Sequence, residues 1–167
     1  VIFYVSPQVW AWKKKRIHSI PHIVDKMLVI LPFEKDIYTD PQMEVEFVGH
    51  PLVEQVGTDK SPQAITHELH ITPQGKVITL VPGSRTAEVT KILPIMAKTA
   101  VLLEKEIGSC TFLISKSPDI PHELYTKILA EFSFSYCLKE NTLYEFYKIS
   151  DFALVKSGTS TLEATLV

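Results

Sequence analysis

The feature that most restricts the fold is an unbroken alternation of short apolar runs with amphipathic stretches. Val1–Val5, Lys26–Leu31, Glu44–Val48, Lys76–Val81, Cys110–Ser115, Ser133–Leu138 and Phe152–Val155 read as strands. Between them, Val9–Ile20, Phe33–Tyr38, Gln63–His70, Thr86–Ile107, His122–Phe132 and Leu143–Ile149 read as helices, and Ser157-Gly158-Thr159 opens a last one. The strand runs are continuous rather than alternating. They predict an α/β fold whose parallel sheets are covered on both faces. In the longest helix Val89, Leu93, Met96, Ala97, Ala100, Leu103 and Ile107 recur at three and four and form one apolar face. Pro94 inside it predicts a kink, because it lacks an amide donor and clashes with the preceding turn. Val53–Pro62 is polar, with Gly57 and Pro62 as breakers, and reads as a linker.

Composition narrows the class. The 167 residues are 46% hydrophobic and 22% charged, which excludes intrinsic disorder. A net charge of −2 gives no strong field for nucleic acid. Two cysteines, Cys110 and Cys137, exclude a disulfide framework or a four-cysteine zinc site and read as buried thiols of a cytosolic protein. The longest apolar run, Met27–Phe33, is far short of the roughly twenty residues of a membrane span. No charged-then-apolar leader is visible. The chain opens with Val1 inside a strand-like run, and Thr161–Val167 is a helix pattern with no stop signal, so it reads as a piece of a longer protein.

Several chemistries are excluded by spacing. Glycines stand at 49, 57, 75, 83, 108 and 158, so the chain contains no G-x-G-x-x-G, P-loop or G-x-S-x-G pattern. The histidines of His67-Glu68-Leu69-His70 are three apart rather than four and read as a surface helix end. His18 and His22 are four apart, but Pro21 breaks the helix that would align them. No metal site is expected.

Two turns have the form of phosphate sites. After the strand Lys76–Val81 comes Pro82-Gly83-Ser84-Arg85 and a helix start. In an open α/β sheet ligands sit at the carboxyl ends of strands. There Gly83 lets backbone approach an anion, the helix start offers amides, Ser84 adds a hydroxyl and Arg85 a guanidinium fork. After Phe152–Val155 comes Lys156-Ser157-Gly158-Thr159-Ser160-Thr161-Leu162-Glu163, with Glu163 placed on the first helical turn, where it could accept from sugar hydroxyls. Taken singly, each turn is also compatible with an ordinary βα connection: a solvated arginine in the first, a dipole-complementing Glu in the second. Together they point to a nucleotide-diphosphate site.

The segments Ser6-Pro7-Gln8-Val9-Trp10-Ala11-Trp12 with Lys13–Arg16, Leu31-Pro32-Phe33-Glu34-Lys35, Phe47-Val48-Gly49-His50-Pro51-Leu52, Pro82–Arg85 with Glu88, and Ser157–Glu163 resemble, in that order, the lipid-A-disaccharide synthase family. The resemblance implies a GT-B fold of two Rossmann-like domains, both incomplete here. Residues 1–50 would be the C-terminal part of the acceptor domain, 51–62 the interdomain linker, and 63–167 part of the UDP-sugar domain. It implies an inverting, metal- and cofactor-independent transfer from UDP-2,3-diacylglucosamine to 2,3-diacylglucosamine 1-phosphate. The transfer would take place at the cytoplasmic face of the inner membrane of Gram-negative bacteria. Gly83, Ser84, Arg85, Ser157, Gly158 and Thr159 would hold the diphosphate, with Arg85 stabilising the leaving group, and Glu163 would bind ribose. The family's general base lies upstream of these residues. Glu34 reads as a helix-start carboxylate and His50 as a turn hydrogen-bonder, each a candidate to border the cleft.

Trp10, Trp12, Lys13 and Arg16 belong to a cluster suited to lipid headgroups or to the acceptor's phosphate. On a regular helix, residues 10, 13, 14 and 17 would share one face, and Trp12, Lys15 and Arg16 would lie elsewhere. A core tryptophan beside a solvated basic face is the other reading. The looser glycine turns also fit a UDP-N-acetylglucosamine transferase or epimerase, or a UDP-sugar-binding module without turnover.

Overall fold

The computed structural model describes all of residues 1–167. The chain divides into two compact units, Val1–Gln55 and Val56–Val167. It is α/β throughout, with two purely parallel sheets.

In the first unit, strands β1 (Ile2–Tyr4), β2 (Lys26–Val29) and β3 (Glu44–Phe47) lie in the order β1-β2-β3. Met27 pairs with Phe3 on one side and Val45 on the other. Met27 and Val29 are fully buried with Val9, Ile20, Val24, Tyr38 and Met43. The opposite face carries exposed Tyr4 and an ion cluster in which Lys26 Nζ lies 2.9 Å from Glu44 and 2.8 Å from Glu46. Within residues 1–55, one face of this sheet is packed by the chain's own side chains and the other carries exposed ones.

The helix expected over Val9–Ile20 is also not one helix. Helix α1 spans only Val9–Trp12, and 3-10 turns follow at Lys14–His18 and Ile20–His22. Lys13, with φ −137° and ψ 52°, is the break. Four consecutive cations from Lys13 to Arg16 have no acidic neighbour in these turns to offset their repulsion. A further 3-10 turn covers Pro32–Asp36, and α2 (Leu52–Gln55) occupies part of the stretch read as linker.

The second unit is a four-stranded sheet ordered β6-β5-β4-β7. Its strands are β4 (Lys76–Val81), β5 (Cys110–Lys116), β6 (Tyr136–Glu140) and β7 (Phe152–Val155). Helices α4 (Thr86–Ile107) and α5 (His122–Leu129) cover one face, where Leu80, Phe112 and Ile114 meet Val89, Leu93, Ala97 and Tyr125. Helices α3 (Pro62–Glu68) and α6 (Leu143–Ile149) cover the other, where Ile65, Val77, Leu113 and Phe146 pack. Val77 to Val81 are all buried, as a central two-sided strand requires. Helix α4 runs unbroken past Pro94; its buried residues on both sides of the proline hold it against the sheet.

Cys110 packs with the α4–α5 face and Cys137 with the α3–α6 face, so the thiols lie on opposite sides of the sheet. Cys137 is only half-buried, against expectation, because β6 is an edge strand. Burial pushes both thiols above their ordinary pKa.

Asp151 fastens the amino ends of β4 and β7. Its carboxylate accepts from Lys76 Nζ at 2.7 Å and from the Val77 amide at 2.9 Å. The lysine hydrogen bond first, and then the amide, hold its pKa below the usual carboxylate value. A lowered folded-state pKa contributes stability above the unfolded value, about 4, and that stability is lost as pH falls through the folded value. Asp151→Asn is thus expected to lower the melting temperature at neutral pH. The gap to wild type should close in a melting series run below about pH 4.

Candidate functional site: the carboxyl ends of β4 and β7

Strand order decides where the two turns go. From β4 the chain moves to β5 and β6, then crosses back to place β7 on the other side of β4. The order reverses between β4 and β7, and such a switch point opens a crevice at the carboxyl ends of the strands. Pro82–Arg85 leaves β4 there and Lys156–Gly158 leaves β7. Val81 pairs with Val155, and the Lys156 amide donates to the Val81 carbonyl at 2.9 Å. Turns about 75 residues apart in sequence are thus neighbours.

Both turns lead into helices without side-chain caps. Arg85 precedes α4, and Gly158 precedes α7 (Thr159–Leu166), with no capping hydrogen bond from either. Helix α3, by contrast, is capped by Ser61, whose hydroxyl accepts from the Ala64 amide. Uncapped first-turn amides carry the positive end of the helix dipole and suit an anion.

Glu88 joins the two turns. Its Oε2 accepts from the Ser84 amide at 3.2 Å, while Oε1 lies 3.4 Å from Arg85 Nη1 and 3.0 Å from Lys156 Nζ. The Lys156 hydrogen bond is the main reason its carboxyl is held below the ordinary range; burial opposes it. Gly83 makes this possible. Its φ is +115°, and a Cβ there would sit 2.4 Å from Glu88 Oε2 and 3.0 Å from Glu88 Cβ. Gly83→Ala is therefore expected to cost about 1–3 kcal/mol, read from denaturant midpoints, and to push Glu88 off the turn.

Ser157, Gly158 and Thr159 are exposed at the mouth of the second turn. Glu163 is not on the first turn of α7 as expected: the helix starts at Thr159, which puts Glu163 on the second turn. There it is half-buried and accepts from the Tyr144 hydroxyl at 3.2 Å. Burial, and then the Glu163 charge, push both Tyr144 and Tyr147 upward, so both stay neutral donors; Tyr147 donates to the Ser160 carbonyl at 3.2 Å.

A family model described as lipid-A-disaccharide synthetase (LpxB) matches residues 1–167. The chain belongs to the lipid-A-disaccharide synthetase family. It is 36% identical over 167 residues to lipid-A-disaccharide synthase 1 of Legionella pneumophila (strain Lens). It is also 36% identical to the lipid-A-disaccharide synthase of Myxococcus xanthus, and 35% to that of Wigglesworthia glossinidia brevipalpis. These matches cover 99–100% of this chain and 44% of each relative, so the chain spans less than half their length.

The synthetase-family motif of the first unit separates its two tryptophans. Trp10 packs edge-on against Phe33 at 5.0 Å and donates to Glu34 Oε1 at 3.2 Å. Glu34 is 1% exposed and also accepts from the Leu31 amide at 3.1 Å, which makes it a turn-start carboxylate. Trp12 is 65% exposed, with Lys13 Nζ 4.8 Å above its ring, and Lys13 to Arg16 are all exposed. The facial grouping expected of a regular helix fails because the helix stops at Trp12. His50 Nδ1 accepts from the Leu52 amide at 3.2 Å, a turn hydrogen bond.

Two features were not read from sequence. Lys156 became a site residue only through the strand order. Val5, at the carboxyl end of β1, has φ +67°, a costly conformation for a β-branched residue, and it carries the chain into a buried Ser6–Tyr38 hydrogen bond of 2.8 Å.

Proposed function

We propose that the full-length protein carrying this chain joins UDP-2,3-diacylglucosamine to 2,3-diacylglucosamine 1-phosphate, giving the β-1,6 disaccharide and UDP with inversion. Membership of the synthetase family and the pair of uncapped turns at the switch point support this reading; the Glu88 bridge between the turns is the observation that carries it. In this reaction the acceptor hydroxyl attacks the anomeric carbon, the bond to the diphosphate breaks, and its electron pair leaves on UDP. Negative charge grows on the diphosphate in the transition state. A cation and amides fixed there lower the barrier rather than only the dissociation constant. Arg85 is that cation, the first-turn amides after Gly83 and Gly158 are those donors, and Glu163 binds the ribose. A base outside this chain takes the hydroxyl proton.

Residues 1–50 belong, on this reading, to the acceptor domain, 51–62 to the interdomain linker, and 63–167 to the donor domain. No helix of the chain is long and apolar enough to cross a membrane. We place the protein at the cytoplasmic surface of the inner membrane, where exposed Trp12 and the cations Lys13 to Arg16 meet anionic headgroups. Trp10 instead braces the segment from within.

The test is UDP release by the full-length protein in mixed micelles, with the acylated donor and acceptor in one arm and UDP-N-acetylglucosamine as donor in the other. Turnover with the acylated pair alone is expected. Turnover with the unacylated sugar contradicts the reading in favour of a transferase or epimerase, and none with either donor contradicts it in favour of a binding module.

A further inference from the structure

The cluster at the carboxyl ends of β4 and β7 contains one carboxylate and two cations. Arg85 and Lys156 both approach the same oxygen of Glu88, so the cluster keeps one net positive charge. The Glu88 carboxylate, its side chain 18% exposed, already occupies an anion position within reach of the Ser84 amide, the guanidinium and the ammonium. The Lys156 side chain is 31% exposed, and its Nζ lies 3.4 Å from where a Cβ on Gly158 would be, which puts the ammonium over the backbone of the second turn. Its own backbone is fixed beside β4 by the hydrogen bond to Val81. A lysine ammonium has three N–H donors. One is directed at Glu88; two remain for a ligand seated between the turns.

We infer that Lys156 is a second cation of the leaving-group site, contacting the diphosphate from the β7 side while Arg85 contacts it from the β4 side, with Glu88 bridging the two. This rests on the proposed UDP-sugar site and deepens it. A diphosphate carries at least two negative charges and has oxygens enough to accept from both cations. Arg85 offers a planar fork that matches one phosphate; Lys156 offers a compact point charge. Neither has to leave Glu88 for the other to bind.

The test compares inhibition of the full-length protein by UDP and by uridine in wild type, Lys156→Met, Lys156→Arg and Arg85→Ala. Loss of a charge-assisted hydrogen bond should raise the UDP inhibition constant of Lys156→Met about tenfold or more, with the uridine constant unchanged and Lys156→Arg recovering most of the loss. A purely structural ion pair would move UDP and uridine together, or neither, and that result overturns the inference. If Lys156→Met is too unstable to assay, the ratio of the two constants in Lys156→Gln serves the same purpose. Should Arg85→Ala weaken UDP selectively while every Lys156 variant leaves the UDP-to-uridine ratio at the wild-type value, the inference fails and the site stands. Should Arg85→Ala also leave that ratio unchanged, the site reading itself fails.

Discussion

Arg85→Ala is expected to lower kcat of the full-length protein by about 10²- to 10³-fold, the usual loss when one preorganised donor to a developing anion is removed. The melting temperature should shift by less than about 2 °C. So uneven an effect follows from the surroundings of the side chain. The side chain is 80% exposed, and its ion pair is a 3.4 Å approach to Glu88. An exposed pair of that kind adds little to folding. Helix α4 does not use the side chain as a cap. The guanidinium is therefore placed at the crevice without supporting it. Arg85→Lys should recover only part of the rate, because an ammonium keeps the charge but not the fork. Steady-state kinetics beside thermal melts check both halves.

Phe112→Ala is expected to have the largest effect on stability, about 3–5 kcal/mol. Phe112 is fully buried in the middle of β5, under α4 and α5, with Phe134 edge-on at 5.4 Å. Alanine would leave a void between sheet and helices that the surrounding strands cannot close. A typical domain has only about 5–15 kcal/mol in hand, so much of the second unit's margin would go. Phe134→Ala removes the edge-on partner from a half-buried loop position and should cost clearly less. Denaturant unfolding of the two variants ranks them.

Legibility in the sequence followed how strongly each segment is constrained by its neighbours. Strands β4 and β7 and helices α4 and α6 lie where they were expected, because each is an apolar run or stripe bounded by clear turn residues. The edge strand β6 was expected at Ser133–Leu138 and lies at Tyr136–Glu140. Only β5 sets its register, and polar Lys139 and Glu140 join that ladder, with Glu140 2.6 Å from Lys116. Phe134, whose apolarity suggested a strand, packs instead from the loop. The cationic stretch after Trp12 has good helix formers, and single-residue preference could not show that four adjacent charges would leave it in 3-10 turns. Val5 carries a signal pointing the wrong way, since β-branched residues avoid positive φ.

The candidate site was half legible. Gly83, Ser84 and Arg85 stood out because a glycine turn between a strand and a helix is a local pattern. Lys156 and the partnership of Tyr144 with Glu163 did not, because each depends on which elements are neighbours in space. The strand reversal that brings β7 beside β4 is a property of the whole sheet.

In the proposed reaction the turns after β4 and β7 together hold the diphosphate. Hydrogen exchange of the full-length protein with and without UDP tests it most directly. Saturating UDP should slow exchange of the amides in Gly83–Glu88 and in Gly158–Thr161 together. Exchange around Ser109–Thr111, at the amino end of β5, should be unchanged. Protection of neither turn, or of only one, would contradict the claim.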